Sequence, residues 1–272
     1  MNKFLFGEMT WPEIKETIKE ERIAVVPIGM IEEHGHHLPV ETDVVLANEI
    51  CVRAGTRIPE KVVVVPPVNH AYAPHQMDFP GVISISSDTF INYIVDIGKS
   101  LAHQGYKRIL LFNGHGSNVS LLQVASRQVM LAYPEVMCAF MSHWDLQPVV
   151  DLMEEIRDSE NPGGINHAGE YETSMYLAIK EDLVQMDKAV RDLDKFKTSK
   201  YFWLDLVGNG EGRMVSIMPY WSTISETGTL GDPTMSTKEK GERIMTAAVE
   251  GLVEFLGIFG GREINPRVNH HL

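Results

Sequence analysis

Short apolar runs that end in loops rich in carboxylates and histidines constrain this chain more than any other feature. Residues 23–30 (IAVVPIGM) carry no charge and read as a buried strand. Residues 62–68, 108–112 and 136–141 are runs of the same kind. Helix-length stretches separate them. One starts at Thr42 or Asp43 and places Val44, Ala47, Cys51 and Ala54 near one face. Another starts at Ser87 or Asp88 and carries Phe90, Ile94, Ile97 and Leu101; a third runs to about Tyr133. Ahead of the first strand, Thr10 and Pro12 start a short helix that reaches Glu20. Strands and helices alternating at this spacing predict an α/β fold: a three-layer α/β/α sandwich with a mainly parallel sheet and right-handed crossovers.

The second half is less regular. Residues 158–165 form a Pro/Gly-rich loop that delivers His167, and a helix covers 169–179. Residues 182–211 are charged and unassigned, 214–224 alternate enough to be a strand, and Ser236 with Glu239 makes a capping box for a last helix to about Leu256. With no repeat or linker visible, residues 1–272 read as a single domain. The net charge of −13 opposes a nucleic-acid backbone or an anionic membrane as partner, though a local metal can outweigh that field for a small substrate. Cys51 and Cys138 sit among apolar residues, as buried thiols of a reducing compartment do. The first residues lack the apolar core of a signal peptide, and no run reaches the roughly 18 apolar residues of a membrane span. A cytoplasmic protein is expected.

The chemistry gathers in three clusters. The loop after the first strand reads Glu32-Glu33-His34-Gly35-His36-His37 and leads to Asp43. In extended chain Glu32 and His34 point the same way and can meet one site. Asp43 could equally serve as a plain helix cap, and His36 and His37 as solvent-facing loop histidines. His115 follows the third strand between Gly114 and Gly116, which permit close backbone approach. The third cluster is Asn166-His167-Ala168-Gly169-Glu170-Tyr171-Glu172. On helical geometry Glu170 shares a face with His167, whereas Glu172 lies well round the helix. His75, in the loop after the second strand, and Trp144, after the fourth, are candidate pocket residues. Mixed carboxylate and imidazole ligands suit Zn, Mn or Fe, and a bridging carboxylate suits two ions close together.

Taken together these motifs resemble the creatininase (creatinine amidohydrolase) family. The carriers are Pro27-Ile28-Gly29 with Glu32 to Pro39, Thr42-Asp43, Phe79-Pro80-Gly81, Asn113 to Asn118, His167-Ala168-Gly169 with Glu172-Thr173-Ser174, and Gly231-Asp232-Pro233. The resemblance implies a creatininase-like fold, a centre of two divalent metal ions per chain and a homo-oligomer, usually a hexamer. By analogy Glu32, Asp43 and His115 hold one metal, and His34 with Asp43 the other, Asp43 bridging. His167 takes the place of the general base or proton shuttle. Glu172 matches the family glutamate, as a ligand or catalytic residue, against the helical argument for Glu170. His75, Gly116, Ser117, Trp144 and Asn166 are the expected substrate contacts. Creatinine-cleaving members carry a tyrosine and a metal-binding glutamate where this chain has Gly116 and Ser117, and a tryptophan where it has Gly163 and Gly164. The expectation is therefore a metal-dependent hydrolase acting on a small polar, cyclic amide or formamide other than creatinine. The alternative is ring-opening C–C hydrolysis, or lyase or isomerase chemistry, on a cyclic keto-polyol or sugar-like ketone. A metal-stabilised structural oligomer is the non-catalytic alternative.

Overall fold

The computed structural model describes residues 3–193, 195, 205–207 and 217–271. Its framework follows from alternation within the apolar runs. In β1 (Ile23–Ile28) the side chains of Ile23 and Val25 enter one core and those of Ala24, Val26 and Ile28 the other. β2 (Val62–Val64) and β3 (Arg108–Asn113) divide in the same way: Val62, Val64, Leu110 and Phe112 face one side, Val63, Ile109 and Leu111 the other. A strand buried on both faces needs a helical layer on each, which is why the runs carry so little charge. The strands are parallel, in the order β2-β1-β3-β4, with β4 at Met137–Ser142. α3 (Ser87–Gln104) and α4 (Val119–Ala132) fill one core. α2 (Thr42–Arg57), α5 (Gln147–Ile156), α6 (Glu170–Lys180) and α7 (Lys238–Gly261) fill the other. The three-layer α/β/α arrangement is the one the sequence predicts, and both cysteines are free and buried within it.

Local chemistry sets the boundaries. α1 (Trp11–Lys19) starts at a capping box between Thr10 and Glu13. β2 stops after Val64 because Pro66 and Pro67 have no N–H to donate, and Val68 N then rejoins the sheet at Pro27 O, 2.9 Å away. Ser86 rather than Ser87 caps α3, accepting a hydrogen bond from Thr89 N. Leu46 and Ile50, not Val44, carry the buried face of α2 together with Ala47, Cys51 and Ala54.

The structure departs from the sequence reading of the later part of the chain in several places. α5 is absent from the sequence reading, although Pro148 in its first turn and Val149, Val150, Met153 and Ile156 on its buried face mark it. Residues 217–224 are not a strand: Thr223, Ile224 and Ser225 donate back to Tyr220 and Trp221, closing a tight turn, while 214–216 lie outside the described residues. α7 is capped by Thr237, whose side chain accepts from Lys240 N, while Ser236 Oγ donates to Glu170 O. It also runs on to Gly261. α7 is long and apolar enough to cross a membrane by length and composition, unlike any run foreseen in the sequence, but its apolar residues pack into the core against α2, α5 and α6.

Candidate metal centre

The site forms where β1 and β3 end. Glu32 and His34 follow β1, His115 follows β3, and Asp43 is in the first turn of α2. Two glycines let these segments meet. A Cβ on Gly29 would lie 2.4 Å from Val44 N, and one on Gly114 would lie 2.6 Å from Asp43 O. The first turn of α2 is thus pressed onto both strand ends, and its dipole favours the Asp43 carboxylate there. Gly35, at φ +66°, turns the loop so that His34 and His37 point inward while His36 is exposed. His37 is not solvent-facing: it is buried, with Nε2 2.9 Å from Thr173 Oγ1. Asn113 holds the next loop, donating from Nδ2 to His115 O (2.8 Å) and accepting at Oδ1 from His115 N (3.2 Å).

The side chains converge closely. His115 Nδ1 lies 2.9 Å from Glu32 Oε1 and 3.1 Å from Asp43 Oδ2; His34 Nε2 lies 3.0 Å from Asp43 Oδ1 and 4.0 Å from Glu172 Oε2. His167 Nδ1 is 3.7 Å from Glu32 Oε1. Glu32 Oε2, His34 Nε2 and Asp43 Oδ2 are buried yet make no hydrogen bond of acceptable geometry. Burying such groups without partners is costly, so this arrangement asks for a cation at their centre. Among the described residues three ligand sets fall within 4.8 Å: Glu32, Asp43 and His115; His34, Asp43 and Glu172; and Glu32, His34 and His167. The first two share Asp43. The far nitrogens are aimed as well, since His115 Nε2 is 3.2 Å from Tyr72 O and His34 Nδ1 3.3 Å from Glu32 O.

Electrostatics agree with crowding of opposite charge. Burial opposes ionisation throughout, but the imidazoles of His34 and His115 hold the Asp43 carboxyl well below the usual range, while burial raises Glu32, and raises Glu172 to about 7. Glu172 Oε2 also accepts from Ala168 N at 2.7 Å. Its neighbour Glu170 points elsewhere: it accepts from Asp158 N and Ser159 N and pairs with Lys240. The sequence argument for Glu170 fails because α6 begins at Glu170 itself, leaving His167 outside the helix.

The remaining candidates divide. His75 and Ser117 meet at 3.4 Å beside the cluster, and open space surrounds Gly116. Asn166 is half-buried next to His167. Trp144 is buried in the core with Leu146 and Met153, edge-on to His143. One residue near the site was not foreseen. Trp221 lies 5.2 Å from the His167 ring and 5.7 Å from that of His75, centroid to centroid. Its assignment to a strand hid it, and only the Trp-Ser-Thr turn after Pro219 signals its real position.

The creatininase family profile, described as creatinine amidohydrolase, matches residues 7–256. The chain belongs to the creatininase family. Creatinine amidohydrolase of Pseudomonas putida is 28% identical over 268 residues, covering 93% of this chain and 96% of that protein. Mycofactocin precursor peptide peptidase of Mycolicibacterium smegmatis is 30% identical over 85% of this chain and 83% of its own length. 3-Dehydro-scyllo-inosose hydrolase of Thermotoga maritima is 24% identical over 92% and 80%. A creatininase crystal structure superposes with a TM-score of 0.78 at 26% identity, covering 97% of this chain and all of that one. Creatininase structures of similar likeness include a zinc–zinc form and a manganese form. As a member of the creatininase family the chain is an enzyme of the amidohydrolase type.

Proposed function

We propose that this creatininase-family chain is a hydrolase that uses two divalent metal ions on the carbonyl of a small polar, cyclic substrate, an amide or formamide other than creatinine. The observation that carries the proposal is the pair of ligand sets sharing Asp43, with buried oxygen and nitrogen atoms left unpaired between them. Glu32, Asp43 and His115 would hold one ion, and His34, Asp43 and Glu172 the other. Glu172 then fills the place left by the carboxylate that Ser117 lacks. When bound, such ions supply Lewis acidity and bring the ionisation of water near neutral pH.

The protein residues supply orientation and proton handling. His167 Nε2 donates to Glu33 O at 2.7 Å, which orients the ring and leaves Nδ1 facing the cluster. Burial opposes protonation of His167, but the neighbouring Glu33 outweighs it and raises the pKa to about 10. Glu33 thus favours the protonated ring, whose Nδ1 proton can pass to a leaving nitrogen or carbon. Backbone pairing with Leu230 in both directions, at 2.9 Å each, keeps the residue in place. The same groups would also serve cleavage of a C–C bond beside a ketone, the alternative reading, for which the relative from Thermotoga maritima is the precedent.

Hydrolysis in ¹⁸O-labelled water tests the reaction class. Label in the product of an amide, formamide or keto-polyol substrate supports hydrolysis; turnover without label incorporation points to lyase or isomerase chemistry instead.

A further inference from the structure

All four side chains in the first turn of α6 are buried, and each meets a different neighbour. Consecutive helical residues project about 100° apart, so the four contacts together fix the rotation of the helix about its axis. Glu170 turns to Ser159 N and Lys240. Thr173 Oγ1 lies 2.9 Å from His37 Nε2. Glu172 faces His34. Tyr171, directly before it, shares a hydrogen bond of 2.7 Å between its hydroxyl and Nδ1 of His143, with the two rings inclined at 19°.

The proton chemistry above leaves His143 unused. It follows β4 in the turn His143–Asp145, fully buried and edge-on to Trp144. Burial pushes its pKa down to about 4, so the ring is neutral. Its Nε2 makes no hydrogen bond among the described residues, so the contact with Tyr171 orients the ring. Ser142, next to it in the chain, accepts at Oγ from Asn113 Nδ2 at 3.1 Å, and the same amide donates to His115 O. Glu170 therefore ties the turn to α7, Thr173 ties it to the loop of His34, and Tyr171 ties it to the end of β4. Glu172 of one ligand set stands at one end of that last tie; His115 of the other set stands at the far end, through Ser142 and Asn113.

We propose that Tyr171 and His143 are positioning residues that set the aim of Glu172 into the ligand set it shares with His34 and Asp43. The inference rests on the two-ion reading above and adds to it the residues that space the two sets.

Zinc bound per chain, measured after equilibration of the full chain with metal buffers of falling free zinc, tests it. Wild type should release two ions. Tyr171→Phe, which keeps the ring and loses the hydroxyl, and His143→Leu should each release one ion at about tenfold higher free zinc, with the other unchanged, the loss expected when a partner that orients a ligand is removed. His143→Asn, whose amide can take the place of Nδ1, should stay near wild type. Circular dichroism checks that each variant folds, and either breaking variant that folds decides the matter. Unchanged release in the breaking variants would overturn the proposal. Equal weakening of both ions would do so too, as a general loss of support, and so would a His143→Asn protein no better than His143→Leu. Failure of both breaking variants to fold would make the pair a support of the fold and overturn its positioning role. Wild type that binds fewer than two ions would sink the two-ion reading before any variant is compared, and the positioning role with it.

Discussion

The candidate metal ligands and the wall beside them, made by His75, Ser117 and Trp221, hang from different kinds of support. Glu32, His34 and His115 follow strands buried on both faces, and Asp43 is in the first turn of a helix pressed against two glycines. The wall hangs from loops. Trp221 belongs to a small cluster with Phe79, Ile224 and Leu230, apart from the two main cores. Its loop is tied down by Asp192, whose Oδ2 accepts from Ser225, Glu226 and Thr227. The difference teaches how one chemistry can serve several substrates. A preorganised floor would keep the proposed ligands within reach of shared ions, while the loops beside it could change without disturbing them.

The largest effect should follow from attacking the floor. Asp43→Ala removes the residue common to both ligand sets, so metal content should collapse and kcat/KM fall by about 1000-fold or more, as for loss of a central electrostatic element. Metal analysis and kinetics on one preparation check this. A variant that keeps its metal places the ions elsewhere.

The next test separates two carboxylates that sequence could not. Glu170 is fully buried against Lys240, and Glu172 faces His34. Lys240→Met should cost about 3 kcal/mol of stability by leaving the buried Glu170 carboxylate without its counter-charge, seen as a lower Tm, with metal content unchanged. Loss of metal from this variant would blur the division drawn between the two glutamates.

These two residues also show what the sequence could convey. The sheet was legible because strands buried on both faces must be apolar, and the three clusters because each follows a strand or precedes a helix where parallel sheets gather their loops. Helical spacing pointed to Glu170 because it assumed His167 was already helical; the resemblance pointed to Glu172. Trp221 was illegible for a different reason. Its position depends on Asp192, some thirty residues earlier, and on backbone pairing of Leu230 with His167, contacts that leave no periodic trace. α5 was missed since it is short and follows the fourth strand where a loop was sought.

His167→Ala probes the junction of floor and wall. Removing the proposed proton carrier should lower kcat about 100-fold with metal retained. Metal loss would instead make His167 a ligand, as its set with Glu32 and His34 permits.

The smallest effect belongs to the wall's support. Burial works against the Asp192 carboxylate, but hydrogen bonds from Ser225 and Thr227 outweigh it and lower its pKa. A depressed carboxylate stabilises the fold above its unfolded pKa of about 3.9, and the gain disappears as pH falls through the folded value. With solvent screening the contribution is about 1 kcal/mol or less. The Tm difference between wild type and Asp192→Asn should therefore be constant near neutral pH and shrink below about pH 4. A difference that persists in acid would assign the support to other contacts.

The central claim is a centre of two ions bridged by Asp43, and metal content per chain tests it most directly. Protein purified without added metal, compared with Asp43→Ala, should carry about two transition-metal ions per chain that the variant lacks. One ion, or none after reconstitution, would contradict the bridged centre, as would two ions retained in the variant.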